Sequence, residues 1–320
     1  MMALSNRNIR WLKGTHLVLI WVGVLFLAAG CGTIGKAKDA TLGLFGGFGI
    51  KGERVKQRIA LVPFANRTPW DENQTHTLFM AQLVDLLEKK CPGIVLVKPG
   101  DADYPETLRH FFLPAPGTLN NIGLSKACRE SGLNGIITGQ LTHISGEEEK
   151  RGLWGFRKTV RVARIKLDVV MLHSGTAAKL MDDSFSFDAE MVVADGNASM
   201  RKWVINDAAI DKPLAECAES ASKTICEKIG ATPWEATILA TEGDKAVIPF
   251  GESAGLLSGD ALEVYGEGRM VDGAGGYRYI VPGVKIGELK ISAVFPRKAE
   301  ITAAEGVGVM KVGNVVRLKK

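Results

Sequence analysis

The sequence predicts an α+β fold in which a mixed sheet with packed helices is followed by a small all-β barrel. Between Arg58 and Ile229, short apolar runs alternate with helical patterns, which is typical of helices packed on a sheet. After the break at Ala231-Thr232-Pro233 the chain becomes rich in glycine and short strands, which is typical of a barrel. Without a leader, roughly 290 of the 320 residues remain, a length that suits two ordinary domains.

The first predicted element is a buried strand at Ile59–Phe64, ended by a turn signal at Asn66–Trp70. Asp71 or Asn73 can then cap a helix that continues to about Lys90. Further elements of the mixed sheet are predicted at Ile94–Val97 (strand), Gly123–Ser131 (helix), Gly135–Ile144, Thr159–His173 and Lys179–Ala194 (strands), and Lys212–Ile229 (a helix with Pro213 in its first turn). The mixed-sign run Glu147–Arg151 predicts a solvated loop.

The barrel is predicted from six short strands and two similar glycine-bearing turns. The turns at Leu257–Asp260 and Lys311–Asn314 each precede an apolar strand, so we interpret them as equivalent turns of one barrel. The strands are expected at Glu235–Ala240, Lys245–Pro249, Ala261–Tyr265, Val284–Val294, Lys298–Thr302 and Val315–Leu318.

The N-terminal segment has the features of an export leader. Three basic residues precede an apolar run from Leu17 to Gly30, whose length fits a signal peptide and is short for a transmembrane span. The run ends in Leu27-Ala28-Ala29-Gly30-Cys31, which resembles the lipobox of bacterial lipoproteins. The resemblance implies that Cys31 becomes the lipidated N-terminus, the acyl chains attaching the protein to a bilayer. An uncleaved anchor and an ordinary secretory signal are the alternatives.

The lipobox resemblance also implies a cellular location. In enteric-type lipoproteins, Asp after the cysteine favours inner-membrane retention, whereas this chain has Gly32. The implied location is the outer membrane, at its periplasmic face. We therefore divide the chain into a signal peptide (1–30), a lipidated, glycine-rich flexible tether (31–56), an α/β domain (57–230) and a β-barrel domain (231–320).

Net charge and cysteine spacing restrict the partners and the disulfides that the chain is expected to have. The formal charge of +5 falls to about +2 when the basic leader is removed, so the basic pI does not argue for a nucleic-acid partner. Cys217 and Cys226 are nine residues apart on one predicted helix, on nearly opposite faces, and should not pair with each other. A bridge between Cys91 and Cys128 is open, although we favour buried free cysteines.

Two segments resemble a known group of envelope proteins. Ile59–Thr68, the helix that follows it, and Gly132–Gly139 resemble the domain shared by TolB amino-terminal regions, curli secretion lipoproteins, lipoprotein activators of penicillin-binding proteins and flagellar assembly protein T. Leu167–Gly175 looks like the strand and turn that carry a Thr-Gly in those families, with Ser174 in the Thr position. The C-terminal run Ile286–Ile291, with the turn at Gly259-Asp260, is similar to the SH3-like module of flagellar assembly protein T.

Three segments match the residue pattern of a catalytic or nucleotide-binding motif but lack the surrounding residues or elements that the motif requires. Gly251–Gly255 fits GxSxG around Ser253, but no histidine follows His173 and a turn follows the serine. Gly47–Gly52 fits GxGxxG but lies in the predicted tether, and Gly30–Lys36 nearly fits a P-loop but has alanine where a hydroxyl is needed. We therefore expect no enzymatic activity and no nucleotide cofactor.

Other polar residues give no metal-ligand pattern. The histidines expected in the mature chain are scattered, at His76, His110, His143 and His173. The acidic pairs, Asp101 with Asp103 and Asp182 with Asp183, lack the further ligands of a calcium loop and predict solvated turns. Asn66 can brace the loop after the first strand, and a ligand role for it is a second hypothesis.

Ser184–Ala194 alternates apolar and polar residues over about ten positions, the length of a transmembrane β-strand. Arg201–Asn206 is a candidate companion strand, and a half-buried antiparallel strand is the simpler interpretation. The sequence thus predicts a non-enzymatic outer-membrane lipoprotein that binds envelope proteins, with no cofactor and no metal. The alternative is a subunit of a curli-type oligomeric secretion channel, so a homo-oligomer remains open.

Overall fold

The structure is a computed structural model of the chain, and it describes residues 54–69, 75–109, 120–153, 155–193, 203–303 and 310–319. The predicted leader, Cys31 and the tether up to Glu53 lie outside these residues, as do Asp71 and Asn73, proposed as helix caps. The GxGxxG-like and P-loop-like segments also lie outside them. Within the described residues, no helix combines the length and the apolar character needed to cross a bilayer.

The first part of the described chain forms a mixed seven-stranded sheet. The strands lie in the order β3-β1-β4-β5-β6-β7, with β2 paired beside β4. The pairs that join β1 to β3 and to β4 are parallel, and those from β4 to β7 are antiparallel. The strands are β1 (Gln57–Leu61), β2 (Ala65–Asn66), β3 (Ile94–Val97), β4 (Gly135–Arg151), β5 (Lys158–His173), β6 (Lys179–Val193) and β7 (Trp203–Ile205).

Both faces of this sheet are covered. Strand β1 shows why: Ile59 and Leu61 enter one apolar core and Ala60 enters another, so a central parallel strand is apolar on both sides. The helices are α1 (Thr75–Lys90), α2 (Glu106–Arg109), α3 (Asn121–Glu130) and α4 (Asp207–Gly230). α1 and α4 cover the first face, and α2 and α3 cover the second. The predicted α+β class is confirmed.

A disulfide joins the two helices on the first face. Cys91, directly after α1, pairs with Cys226 of α4, with their Cα atoms 5.6 Å apart, an ordinary spacing for this bond. The favoured expectation of free cysteines is therefore wrong for these two, and the Cys91–Cys128 alternative is also wrong. Cys128 is free and buried under the opposite face, while Cys217 is free and half-buried.

Helix α4 starts earlier than predicted. The Asn206 side chain accepts a hydrogen bond from the Ala208 N–H and caps the helix, so the helix begins at Asp207 and not at Lys212. Pro213 consequently lies inside the helix and not in its first turn. At this inner position its missing N–H leaves one carbonyl of the preceding turn without its helical partner. Apolar residues three or four apart nevertheless bury one stripe of α4 against the sheet.

Strand β4 is longer than predicted because the charged run Glu147–Arg151 belongs to it. The predicted loop is wrong: these five residues pair in antiparallel register with Lys158–Val162. Arg164 of β5 donates to Glu147 at 2.9 Å and to Glu149 at 3.2 Å, so opposite charges lie side by side on one face of the pair. Opposite charges across the strand pair therefore stabilise this segment as a strand.

The C-terminal part forms a curled antiparallel sheet around its own apolar core. Its seven strands lie in the order β8-β16-β11-β14-β15-β10-β9. They are β8 (Glu235–Thr237), β9 (Ala240–Glu242), β10 (Lys245–Ile248), β11 (Ala261–Tyr265), β14 (Lys285–Val294), β15 (Ala299–Ala303) and β16 (Val315–Leu318). The sequence missed a separate hairpin of β12 (Arg269–Asp272) and β13 (Arg278–Val281).

The two turns interpreted as equivalent have the same geometry. Gly259 and Gly313 have φ of +93° and +94°, in the left-handed region that favours glycine. The side chains of Asp260 and Asn314 accept from the backbone N–H groups of Leu257 and Lys311. These Asx-type bonds hold each turn and direct the following strand into the core.

Candidate functional site

The GxSxG segment is a tight structural turn. Glu252–Ala254 form one turn of 3₁₀ helix, and Gly255 has φ of +82°. A Cβ at Gly255 would overlap the carbonyl of Arg54, whose guanidinium donates to the Gly255 carbonyl and to Asp260. The helix that a nucleophile elbow requires is therefore absent after Ser253. Gly255 instead leaves room for the Arg54 backbone, which lies against it.

The histidines are not brought together. His143 is exposed on β4, His173 is buried at the end of β5, and His110 lies outside the described residues. His76 is half-buried near the start of α1. Among the described residues, no three His, Cys, Asp or Glu side chains form a group that could hold a metal ion.

The acidic pairs and Asn66 have structural partners. Asp182 and Asp183 lie within β6, so the predicted turn there is wrong, and Asp182 pairs with Lys179 at 2.5 Å. Asp103 is ion-paired with the buried guanidinium of Arg58, so it is not simply solvated. The Oδ1 of Asn66 accepts from both the N–H and the hydroxyl of Thr68 at 2.9 Å, so the predicted bracing of this loop is confirmed.

Buried polar groups concentrate where the mixed sheet meets the C-terminal sheet. We call this cluster the joint, and its chemistry is that of charged and amide groups shielded from water. Its members are Arg129, Asn134, His173, Ser174, Glu235 and Arg317.

Asn134 connects three parts of the joint. Its Oδ1 accepts from the Arg58 N–H at 2.9 Å, and its Nδ2 donates to the Glu235 carbonyl at 2.8 Å. Its own carbonyl accepts from the Ser174 N–H at 2.8 Å. Because the side chain is buried and uses both ends of its amide, it fixes β1 and the β5–β6 turn against β8.

Glu235 brings a carboxylate into the joint. Arg317 donates to its Oε2 from Nε and Nη2, at 3.1 and 3.0 Å. The His173 Nε2 lies 3.8 Å from its Oε1, and a Cβ at Gly175 would overlap that oxygen. The Ser174-Gly175 turn is therefore shaped to admit Glu235, which explains the glycine at this position.

His173 is held as a neutral ring. Its Nδ1 accepts from the Thr176 N–H at 3.3 Å, which places the proton of the neutral imidazole on Nε2. Burial lowers the pKa of His173 below its ordinary value of 6.5; Glu235 opposes this effect, and Arg317 and Arg129 add to it. Burial also lowers the pKa of the Arg129 guanidinium, which donates to the Ser174 carbonyl at 2.8 Å.

A small cleft opens beside the joint, between α3 and the β5–β6 turn. Asn121, Ser125, Cys128, His173 and Ala177 contribute to its walls. Its free space is close to that of a single water molecule. Ser125, the hydroxyl on this wall, donates to the Ser174 carbonyl, so it is committed to the joint.

The alternating segment Ser184–Ala194 lies mostly in β6. Phe187, Ala189 and Met191 are buried in the core beneath α4, so the half-buried antiparallel strand is confirmed for the described part. Its predicted companion is also confirmed over Trp203–Ile205, which pairs with Met191–Val193. Ala194 and the following residues up to 202 lie outside the described part.

Strands β4 and β5 extend beyond the covered part of the mixed sheet as a two-stranded arm. We define the arm as Glu147–Arg151 paired with Lys158–Val162, and the tip as the turn Gly152–Arg157 between them. Leu153 is 84% exposed and Phe156 is 86% exposed. The Phe156 N–H donates to the Leu153 carbonyl at 2.9 Å, so the tip is a closed turn with its apolar side chains in solvent.

A second exposed apolar surface lies on the C-terminal part. We call it the apolar patch: Met270 of β12, Val281 of β13, Val284 and Ile286. Met270 is 56% exposed and Val284 is 78% exposed. Val284 is tied to the chain before β12 by the bond from the Gly266 N–H to its carbonyl, at 2.9 Å. Met270 and Val281 lie on opposite faces of the hairpin, because Met270 is opposite Ile280 and Val281 is opposite Arg269. The name therefore covers the exposed apolar side chains of this region, and such side chains are typical of surfaces that bind another molecule.

Sequence reasoning missed the joint, the tip and the patch for different reasons. Glu235 and Arg317 lie 82 positions apart and meet only in the folded chain. The tip did carry a signal, since Leu153-Trp154-Gly155-Phe156 is an apolar interruption between Arg151 and Arg157. The patch depends on a hairpin whose strands have four residues each and no clear alternation.

No protein-family model matches this sequence, and no curated protein matches it. Solved structures similar in fold include lipoprotein GNA1162 from Neisseria meningitidis, at 13% identity and a TM-score of 0.31, covering 53% of this chain and 99% of that one. A putative lipoprotein from Caulobacter crescentus is 12% identical with a TM-score of 0.24, covering 53% and 86%. TolB from Acinetobacter baumannii is 10% identical with a TM-score of 0.28, covering 80% and 62%. The structures to which this chain is similar therefore include bacterial lipoproteins and a TolB.

Proposed function

We propose that this chain is a non-enzymatic lipoprotein, anchored through Cys31 to the periplasmic face of the outer membrane, that serves as an accessory or assembly component of a cell-envelope machine. The machine would be a flagellar basal body, a secretion system or a peptidoglycan-synthesis complex. The anchor is supported by the sequence Leu27-Ala28-Ala29-Gly30-Cys31 after a basic and apolar leader.

The observation that carries a docking role is the apolar patch. Val284 and Met270 are exposed although the chain buries apolar residues efficiently in the core of the same curled sheet. Arg269 lies opposite Val281 and Arg278 lies opposite Asp272, so charged side chains are adjacent to apolar ones on this hairpin, a combination common in protein–protein interfaces. We infer that a partner protein covers this surface.

Two candidate catalytic side chains, His173 and Ser125, support a binding role, because each already has a structural partner. His173 accepts from Thr176 and contacts Glu235 in the joint. Ser125 donates to a backbone carbonyl, and Ser253 lies on an exposed 3₁₀ turn. His173 and Ser125 are therefore engaged in bonds that hold the fold together.

The alternative is a subunit of an oligomeric secretion channel. Strand β6 favours it, because no described strand pairs with its outer edge from Lys179 to Glu190. An open edge can accept a strand from a neighbouring copy. Asp182, Asp183 and Asp188 lie on β6, and such charges commonly prevent that pairing, so docking remains our preferred proposal.

The anchor is tested by the intact mass of the protein isolated from membranes of its own bacterium. We expect a chain that begins at Cys31 and carries acyl groups, and a Cys31→Ser variant that keeps the leader. A mass that includes residues 1–30 in the unaltered chain would contradict the anchor.

Docking is tested by cross-linking in cells, followed by mass spectrometric identification of the captured proteins. We expect a defined envelope protein whose capture falls at least tenfold in Val284→Asp and Met270→Asp. Val312→Asp, a similarly exposed apolar position outside both the patch and the tip, is the matched control and should leave the capture unchanged. Equal capture by all four proteins would contradict the patch as the docking surface.

A further inference from the structure

The tip presents apolar side chains in a fixed conformation at the farthest end of the arm. Gly152 and Gly155 have φ of +120° and +95°, and the Leu153–Phe156 hydrogen bond closes the turn between them. Leu153 and Phe156 therefore do not fold back onto the arm and remain almost wholly in solvent. Trp154 stands between them in sequence and lies outside the described residues.

Cations surround the tip on both strands. Lys150 and Arg151 end β4, and Arg157 and Lys158 lead into β5; all four are exposed. In the register of the arm, Arg151 lies directly opposite Lys158. Like charges facing each other across a strand pair repel; Glu149 offsets the charge of Arg151, and no ion pair of Lys158 is found among the described residues.

Three acids lie on β4 before the tip, and two of them have ion-pair partners; the third, Glu148, lies opposite Arg161 in the register of the arm. Glu147 and Glu149 accept from Arg164, which lies further down β5, at 2.9 and 3.2 Å. Glu149 also pairs with Arg151 at 3.1 Å, at the base of the tip. Lys150, Arg157 and Lys158 are left as exposed cations around Leu153 and Phe156.

This combination has the chemistry of a bilayer surface. Aromatic and aliphatic side chains enter the boundary between headgroups and acyl chains, while flanking lysine and arginine side chains reach the phosphates. Anionic lipids attract such basic flanks. A partner protein that bound the tip would need both an apolar pocket and a ring of acidic residues around it.

The segment between Cys31 and the folded part is long enough for the tip to contact the membrane in which Cys31 would be anchored. β1 runs parallel to β4 with Ile59 opposite Gly135, so Arg54 lies at the end of the sheet away from the tip. The 17 residues of β4 extend roughly 55 Å at about 3.3 Å per residue. The segment from Gly32 to Glu53 can span up to about 75 Å when fully extended, so an anchored chain can still place its tip on the same membrane.

We infer that the tip is a membrane-docking wedge, in which Leu153 and Phe156 enter the interface of an anionic bilayer and Lys150, Arg157 and Lys158 bind its phosphates. This contact is separate from the lipid on Cys31 and from the protein-binding role of the apolar patch. It orients the body with the arm toward the membrane and the curled sheet away from it.

The test measures how deeply the tip enters the lipid. The full chain, purified from membranes, is reconstituted into vesicles of phosphatidylethanolamine and phosphatidylglycerol that contain brominated phospholipid. In a Trp154→Phe background, Phe156→Trp places a fluorescent probe at the tip, and the quenching of the background protein itself, which keeps the other tryptophans, is subtracted from each measurement. Val284→Trp in the same background is the matched control, because Val284 is also exposed and lies in the apolar patch.

We expect at least twofold stronger quenching of the Phe156→Trp probe than of the Val284→Trp probe. The excess should disappear in phosphatidylcholine vesicles, which offer no anionic lipid. It should also disappear when Arg157→Glu and Lys158→Glu are added, because these reverse the charge at the tip. Circular dichroism of each variant confirms that it is folded.

Equal quenching at the two positions would overturn the proposal. So would a tip probe that is shielded from brominated lipid and cross-links to another copy of the chain, since the tip would then be a contact between copies. The measurement does not depend on acylation, because the full chain stays on the vesicles through its lipid or through an uncleaved leader. Failure of the wedge is thus distinguishable from failure of the Cys31 anchor.

Discussion

The joint and the arm differ in how they use charged side chains. In the joint, Glu235 and His173 are buried and placed by defined partners from several elements. At the base of the arm, Arg164 of β5 holds three acids at the surface, and its side chain remains 43% exposed. A buried polar group that loses its partner is costly, whereas an exposed ion pair contributes little. The joint therefore stabilises the fold, and the arm is free to carry a binding surface at its tip.

The largest effect should come from Asn134→Ala. The Arg58 N–H and the Glu235 carbonyl would both lose a buried partner, which we expect to lower the free energy of unfolding by about 3 kcal/mol. Urea unfolding followed by circular dichroism measures it. Asn120→Ala is the control, since it removes one exposed helix-cap bond and should cost about 1 kcal/mol. Equal losses in the two variants would mean that the joint is no more stabilising than the surface.

The second effect is a dependence of stability on pH in the joint. Because burial lowers the pKa of His173, the unfolded chain binds more protons than the folded chain below pH 6.5. Stability should therefore fall as the pH drops from 7 to 5, and less so in His173→Gln, which has no proton to gain. Thermal unfolding at several pH values measures the slopes. Identical slopes would show that His173 does not contribute.

A smaller and local effect is expected in the arm. Arg164→Ala removes the links to Glu147, Glu149 and Asp188, so the paired segment should open more often. Amide hydrogen exchange over Glu147–Arg151 should become faster while exchange in β1 stays the same. Lys166→Ala, an exposed cation on the same strand, is the control. Faster exchange throughout the protein would mean that the arm is part of the global core.

The smallest effect on stability should come from the tip itself. Leu153→Asp and Phe156→Asp remove apolar groups that are already in solvent, so the free energy of unfolding should change by less than about 0.5 kcal/mol. The same urea measurement applies. A loss above about 1 kcal/mol in either variant would show that the tip packs against the body, and would weaken its role as an exposed surface.

Local patterns predicted the fold better than they predicted the site. Ile94–Val97 was found at its exact bounds because a short apolar run between turns determines a buried strand by itself. The charged end of β4 was not, because its pairing with Lys158–Val162 depends on residues that lie beyond the intervening turn. The disulfide joins positions 135 apart, and spacing along the chain carries no information about such a pair.

The site depends even more on long-range contacts. Glu235 enters the joint only because Gly175 leaves room for it, and neither residue predicts the other in sequence. Exposure of Leu153, Phe156 and Val284 is likewise a property of the folded surface, since apolar residues in a sequence are expected in the core. The sequence predicted the fold class but not the exposed surfaces, and the lipid anchor at Cys31 stays a prediction.

The most direct test of a docking lipoprotein is the size and shape of the full-length protein in mild detergent, measured by light scattering and negative-stain imaging beside a Cys31→Ser control. We predict a monomer or a small oligomer with a projecting arm. A discrete ring of many copies would contradict docking, and would favour the secretion channel assembled along the open edge of β6.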